Sequence, residues 1–161
     1  MLVSQNSTYA QYELSFDKQE EDGSNEDKET QGATSFELKF RNNSSHKTAP
    51  QVVALNEEET LIFTADKFEQ KCFSVRTCAL INSVELPDNL GTPTQLIILR
   101  GGMYSVICSN TGLVCVVNLL QGDVESLQQL HTKKIVKAQM LNDLLVTFSE
   151  DGYVKYHSFG M

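Results

Sequence analysis

Long apolar runs are missing from this chain, and with them any span able to cross a bilayer. The longest candidate, Leu113 to Leu120, is interrupted by Asn118 and is the size of a strand. The opening, MLVSQNSTYA, lacks the basic start and apolar centre of a secretory signal. The expected location is therefore intracellular, cytoplasmic or nuclear, with no membrane contact, and the acceptor-like triplets at Asn6, Asn42 and Asn43 stay unmodified. Cys72, Cys78, Cys108 and Cys115 show no C-x-x-C spacing, so buried thiols are expected rather than a metal site or disulfides. No Ser, Cys or Asp stands with a base in a nucleophile pattern, and no glycine loop of phosphate-binding type appears. The expectation is a protein without catalytic residues, cofactor or metal. A long basic stripe is missing too. At a net charge of −8, nucleic-acid binding lacks its main source of affinity.

The charge is unevenly spread. Residues 1–33 hold eight acidic residues against Lys18 and Lys28 and account for −6 of the −8. Between Asp17 and Gly32 no residue is apolar, so burial cannot offset the entropy of ordering the segment. Residues 1–33 are read as an acidic, mostly disordered tail, although Tyr12 to Phe16 alternates like a short strand. Ser24, followed by Glu26 and Asp27, fits an acid-directed phosphorylation site; a linker without function is the plainer reading. From Ser35 onward the pattern is that of short strands. Phe36, Leu38 and Phe40 share one face, with Glu37 and Lys39 on the other. Arg100 to Met103 reads as a hairpin turn, and Glu57-Glu58-Glu59 as a solvated one.

A repeat organises the rest. His46 and His131 each precede an apolar strand, a polar turn, a second apolar strand, a turn and a third strand. Gly91 begins a unit of the same order, with strands at Leu96 to Leu99, Tyr104 to Cys108 and Leu113 to Leu119. The starts at 46, 91 and 131 give periods of 45 and then 40 residues. A further segment follows the first two units: Cys78 to Pro87, and Gly122 to Leu130, which register makes a strand.

Four short strands in about 40–45 residues is the size of a propeller blade, and the sequence resembles the WD40 repeat family. The third unit carries the resemblance best: Leu130-His131 stands at the family's Gly-His, Ser149-Glu150-Asp151 at its Ser-x-Asp, and Gly152 in the turn after it. Elsewhere the pattern departs. Lys67 and Thr111 stand at the turn Asp, Gly91 at the His, and Phe73-Ser74, Val117-Asn118 and His157-Ser158 in place of Trp-Asp; the chain has no Trp.

The resemblance implies an all-β fold: a partial propeller of about three four-stranded blades at 35–87, 88–130 and 131–161. It also implies that His131, Ser149 and Asp151 form a hydrogen-bonded set pinning the third blade, and that His46 and His131 are structural. The third unit has three strands, and Ser35 to Phe40 is spare. That spare strand is expected to pair with Tyr153 to Phe159, in the same chain or a second copy. The implied function is a non-catalytic protein–protein interaction scaffold, a WD40-like subunit of a multiprotein complex, self-associating or completed by a partner's blades. One alternative is a nucleic-acid-associated subunit touching phosphate through Lys133, Lys134 and Lys137, a group whose plainer reading is a solvated loop. Others are a truncated isoform of a longer WD40 protein, and a compact β-sandwich of about ten strands that imitates a blade period.

Overall fold

The computed structural model describes the backbone of residues 2–5, 8–16 and 34–41, and residues 46–158 with their side chains. Ser24 and the acidic run 17–33 lie outside the described residues. Among the described residues the structure is all-β, with antiparallel pairing throughout and only short 3-10 turns as helix.

Three strands precede the repeat: β1 (Leu2–Gln5), β2 (Thr8–Phe16) and β3 (Thr34–Arg41). They form one sheet in the order β1-β2-β3, with Leu14 opposite Phe36 and Tyr12 opposite Leu38. Two of these strands fall within the segment 1–33. Within the chain, the spare strand thus pairs with β2, which corrects its expected pairing with the last strand. Antiparallel pairing of successive strands is the common outcome, because lengthening the connecting loop adds little to its closure entropy.

The first repeat sheet contains β4 (Val52–Leu55), β5 (Leu61–Ala65), β6 (Glu69–Ser74) and β7 (Leu80–Glu85). The second contains β8 (Pro93–Leu99), β9 (Tyr104–Ser109), β10 (Leu113–Asn118) and β11 (Asp123–Gln129). The third has three strands, β12 (Ile135–Leu141), β13 (Leu144–Ser149) and β14 (Val154–Ser158). Each sheet is a meander in chain order, and Asp123–Gln129 is the strand that register predicted. Arg100 to Met103 links β8 to β9 as a hairpin, with Gly101 and Gly102 at positive φ.

The sheets stack through their first strands, β8 lying between β4 and β12. The Thr94 hydroxyl on β8 donates to the Ile135 carbonyl on β12 at 2.6 Å. One core cluster joins the first two sheets, with Phe63, Ala65 and Cys72 packed against Ile107, Cys115 and Val117. A second joins the next pair, with Val106, Cys108 and Val114 against Ile135, Ala138 and Leu145. The middle sheet is thus covered on both faces, which explains the unbroken burial from Ser105 to Ser109 and from Val114 to Asn118. A buried hydrogen bond crosses the first interface, from the Ser105 hydroxyl to Gln70 Oε1 at 2.7 Å.

Two glycines differ in what they do. Gly152 has φ +88, and an added Cβ would meet nothing within 4 Å, so its requirement is conformational alone. Gly112 has φ +84, and its Cβ would lie 2.1 Å from the His131 carbonyl oxygen. Its own carbonyl accepts the Leu130 and His131 amides, both at 3.1 Å, tying the second sheet to the loop that enters the third. Gly152→Val is expected to cost about 1 kcal/mol or somewhat more. Gly112→Ala adds a backbone clash to the same strain and should cost about 2–4 kcal/mol. Denaturant unfolding of both variants checks the order, and equal losses would contradict it.

Candidate functional site

The most developed polar site lies where the loop after β11 enters the third sheet. His131, whose side chain is wholly buried, sits at the end of that loop. Its Nε2 lies 2.8 Å from the Thr147 hydroxyl of β13, and its Nδ1 lies 3.0 Å from Asp151 Oδ2. The Asp151 carboxylate also accepts the amides of Thr132 and Tyr153, each at 3.1 Å. Burial alone would raise the Asp151 pKa. The two amides and His131 outweigh it and hold the carboxyl down at about 2. One imidazole thus ties the entering loop, the middle strand and the turn after it.

Thr147, rather than the expected Ser149, is the hydroxyl that meets the imidazole. The Ser149 hydroxyl instead donates to the Lys133 carbonyl at 3.2 Å and accepts the Asp151 amide at 3.2 Å. The backbone around Lys133 and Lys134 is therefore pinned: the Glu150 amide donates to the Lys134 carbonyl at 3.0 Å. Both lysine side chains are exposed on this loop. Lys137 is exposed too, but on β12 opposite Phe148, so the three lysines do not share one loop. Lys155 was not foreseen; its ammonium donates to the Leu130 carbonyl at 2.6 Å from β14.

The first sheet repeats the arrangement. His46 Nε2 lies 2.6 Å from the Thr64 hydroxyl. Asp66, not Lys67, supplies the turn carboxylate. Its Oδ1 accepts the Phe68 and Glu69 amides, both at 2.8 Å, and its Oδ2 accepts the Thr48 amide at 2.7 Å. Burial of Asp66 opposes ionisation, but these bonds prevail and lower its pKa. The turn is two residues shorter here, counted from Thr64 or Thr147, so the acidic residue arrives sooner. That common spacing, a threonine three residues after Leu61 and after Leu144, was the legible signal for the hydroxyl position. His46 and Asp66 do not meet as closely as His131 and Asp151: Nδ1 is 4.0 Å from Asp66 Oδ2 and 3.6 Å from Glu69 Oε1. Among the described residues, His46, Asp66 and Glu69 are the group whose ligand atoms lie close enough together to hold a metal ion.

The second sheet solves the same problem without histidine. Thr111 donates to the Leu90 carbonyl at 2.8 Å, and Asn110 Oδ1 accepts the Thr92 amide at 2.8 Å. A Cβ on Gly91 would lie 2.6 Å from that Asn110 oxygen and 2.7 Å from Thr111. A side chain there would have to displace Asn110 or Thr111, and φ +83 disfavours one in any case. The four cysteines are buried, and burial pushes Cys72 up to about 11 and Cys108 and Cys115 up to about 12. Those three thiols are protonated at neutral pH and poor nucleophiles.

This geometry is that of a β-propeller-like fold, and solved structures agree. A computationally designed protein, Ika4, is similar at TM-score 0.65 and 18% identity over 77% of this chain and 74% of its own. A second design, Ika8, is similar at TM-score 0.65 and 13% identity over 98% of this chain and 44% of its own. A chain from the crystal structure of the Mitotic Checkpoint Complex is similar at TM-score 0.64 and 17% identity. That match spans 77% of this chain but 41% of the other, so in two of these neighbours the match covers less than half of the neighbour's own length. No protein-family model matches the sequence, and no curated protein matches it. Among the described residues no helix is long and apolar enough to cross a membrane.

The depressed Asp151 carboxyl has a pH consequence. Its folded value of about 2 lies below an unfolded value of about 3.9. The stability it contributes is fully present above pH ~4 and is lost as pH falls through about 2. Urea midpoints of the parent chain should therefore drop between pH 4 and 2. Asp151→Asn should start lower at pH 7 and lose less over that interval. Parallel curves would show that this carboxylate is not what the imidazole site depends on.

Proposed function

We propose that the chain is a non-catalytic protein-interaction scaffold with WD40-like blades, acting as a subunit of a multiprotein complex. The observation that carries the reading is the outer face of the third sheet. Leu144, Val146 and Phe148 on β13 share that face with Val154 and Tyr156 on β14, by the register of the pairing. Phe148 is 39% exposed, Val154 47% and Tyr156 65%. Their counterparts in the second sheet, Val106, Cys108 and Val114, are at most 4% exposed because the third sheet covers them. A face of the kind that buries a neighbour within the molecule is left open to a neighbour from outside. Patches of this sort on otherwise polar surfaces mark interaction sites.

The hydrogen-bonded imidazoles fit the same reading. They hold turns rigidly, and a rigid platform loses little entropy on binding. The nucleic-acid alternative has less support, since Lys133 and Lys134 sit on a loop while Lys137 lies on the sheet face, within an acidic chain. A steep fall of RNA or DNA affinity with salt would revive it.

The test is mass in solution across a range of concentrations. The parent chain is expected to associate, because burying Phe148, Val154 and Tyr156 is worth about 1.5–3 kcal/mol for each side chain fully covered. Phe148→Glu with Tyr156→Glu should return it to monomer with little loss of Tm, as both side chains are already exposed. A strictly monomeric parent whose Tm drops sharply in the double variant would show that the face is structural and not a docking surface.

A further inference from the structure

The cluster around His46 departs from its counterpart around His131 in ways that pinning a loop does not require. His46 Nδ1 has no hydrogen-bond partner, although the side chain is only 2% exposed. His131 satisfies the same atom at 3.0 Å within the same kind of sheet, so the fold does not force the vacancy. His46 Nδ1 is aimed at two carboxylates, 3.6 Å from Glu69 Oε1 and 4.0 Å from Asp66 Oδ2. The Lys71 ammonium stands 3.1 Å from that same Glu69 oxygen, with its side chain 10% exposed. Two carboxylates against one ammonium leave the cluster short of one positive charge.

A buried nitrogen left without a partner is destabilising, so a group that pairs with it is worth seeking. A bridging water, about 2.8 Å from each partner, is comfortable across gaps of about 4.5 Å, wider than these. A metal ion about 2.0–2.2 Å from each donor holds tetrahedral donors about 3.3–3.6 Å apart, which is near the 3.6 Å gap and a few tenths of an ångström below the 4.0 Å one.

We propose that His46 Nδ1, Glu69 Oε1 and Asp66 Oδ2 form a divalent-cation site of the imidazole–dicarboxylate type, suited to Zn²⁺ or Mn²⁺. The three ligand atoms lie within 4.8 Å of one another, so closure around an ion needs only a small movement of the carboxylates. In the ion-bound form Nε2 would donate to the Thr64 hydroxyl, 2.6 Å away, which leaves the Nδ1 lone pair for the ion. The outer support is in place. Glu69 Oε1 accepts the Lys47 amide at 3.0 Å, Oε2 faces the Ser83 hydroxyl at 3.4 Å, and the Thr48 hydroxyl donates to Asp66 Oδ2 at 2.9 Å. Lys71 is the internal competitor: an ion that binds Glu69 displaces its ammonium toward solvent.

The test is calorimetric titration of the chelator-treated full chain at pH 7 with MnCl₂ and, separately, ZnCl₂. Mn²⁺ guards against capture by thiols, since it prefers oxygen donors. One ion per chain is expected. Glu69→Gln should weaken binding tenfold or more, whereas Lys71→Met should tighten it several-fold by removing the competing charge. The His46 ring-nitrogen NMR signal should shift on Zn²⁺ addition in the parent and in Lys71→Met. Absence of saturable binding in both these proteins overturns the proposal, as does binding that Glu69→Gln leaves unchanged. Neither Glu69 nor Lys71 lies on the outer face of the third sheet, so the site is tested independently of association through that face.

Discussion

A three- or four-stranded antiparallel sheet with apolar side chains on a face is stabilised by covering that face, and this constraint organises the molecule. It is met by stacking sheet on sheet through their first strands. The middle sheet is sealed on both sides, with Ile107 turned to one neighbour and Val106 to the other. Its strands consequently carry almost no polar residue between Ser105 and Ser109 or between Leu113 and Val117. The third sheet buries Leu145 against the second and presents Phe148 and Tyr156 on its far side.

Stacking alone would leave the connecting loops loose, because each must pass from the last strand of one sheet to the first strand of the next. The three units secure that crossing with different chemistry. In the third, an imidazole bridges a threonine and an aspartate. In the first, the aspartate binds the loop directly through Thr48, and the imidazole keeps only its threonine. In the second, a threonine hydroxyl reaches the Leu90 carbonyl across the space a side chain on Gly91 would fill. The shared element is a side-chain acceptor or donor at the turn after the second strand of each sheet, bonded to the loop that enters that sheet. Side-chain identity is free to vary as long as the buried polar groups find partners, which is why motif matching weakens while the spacing persists.

Rigidity and openness together shape the functional reading. The pinned loops and two sealed interfaces make a stiff body, and the outer face of the third sheet gives that body something to present. The first sheet adds a polar cluster with more charge than a pinned loop needs.

The alternation of apolar residues, the turn residues and the 40–45-residue period were enough to place the strands from Val52 onward, including the ambiguous Asp123–Gln129. Period-2 and repeat signals are local, and a strand in a meander takes its partner from the next segment of the chain. The pairing of β3 with β2 was not legible, since alternation says which face is apolar but not which edge receives the strand. The site was half legible. His131, Asp151 and the glycine after it follow from the third unit's resemblance to the WD40 repeat, whereas Thr147 in place of Ser149, and Asp66 in place of Lys67, depend on turn lengths that only the folded backbone sets. The unpartnered nitrogen of His46 facing two carboxylates, and the Cβ-sized gap denied to Gly112 by a carbonyl from the next unit, belong to the tertiary structure alone. Both arise from residues roughly 20 positions apart brought within contact distance, and sequence patterns carry no record of distances of that kind.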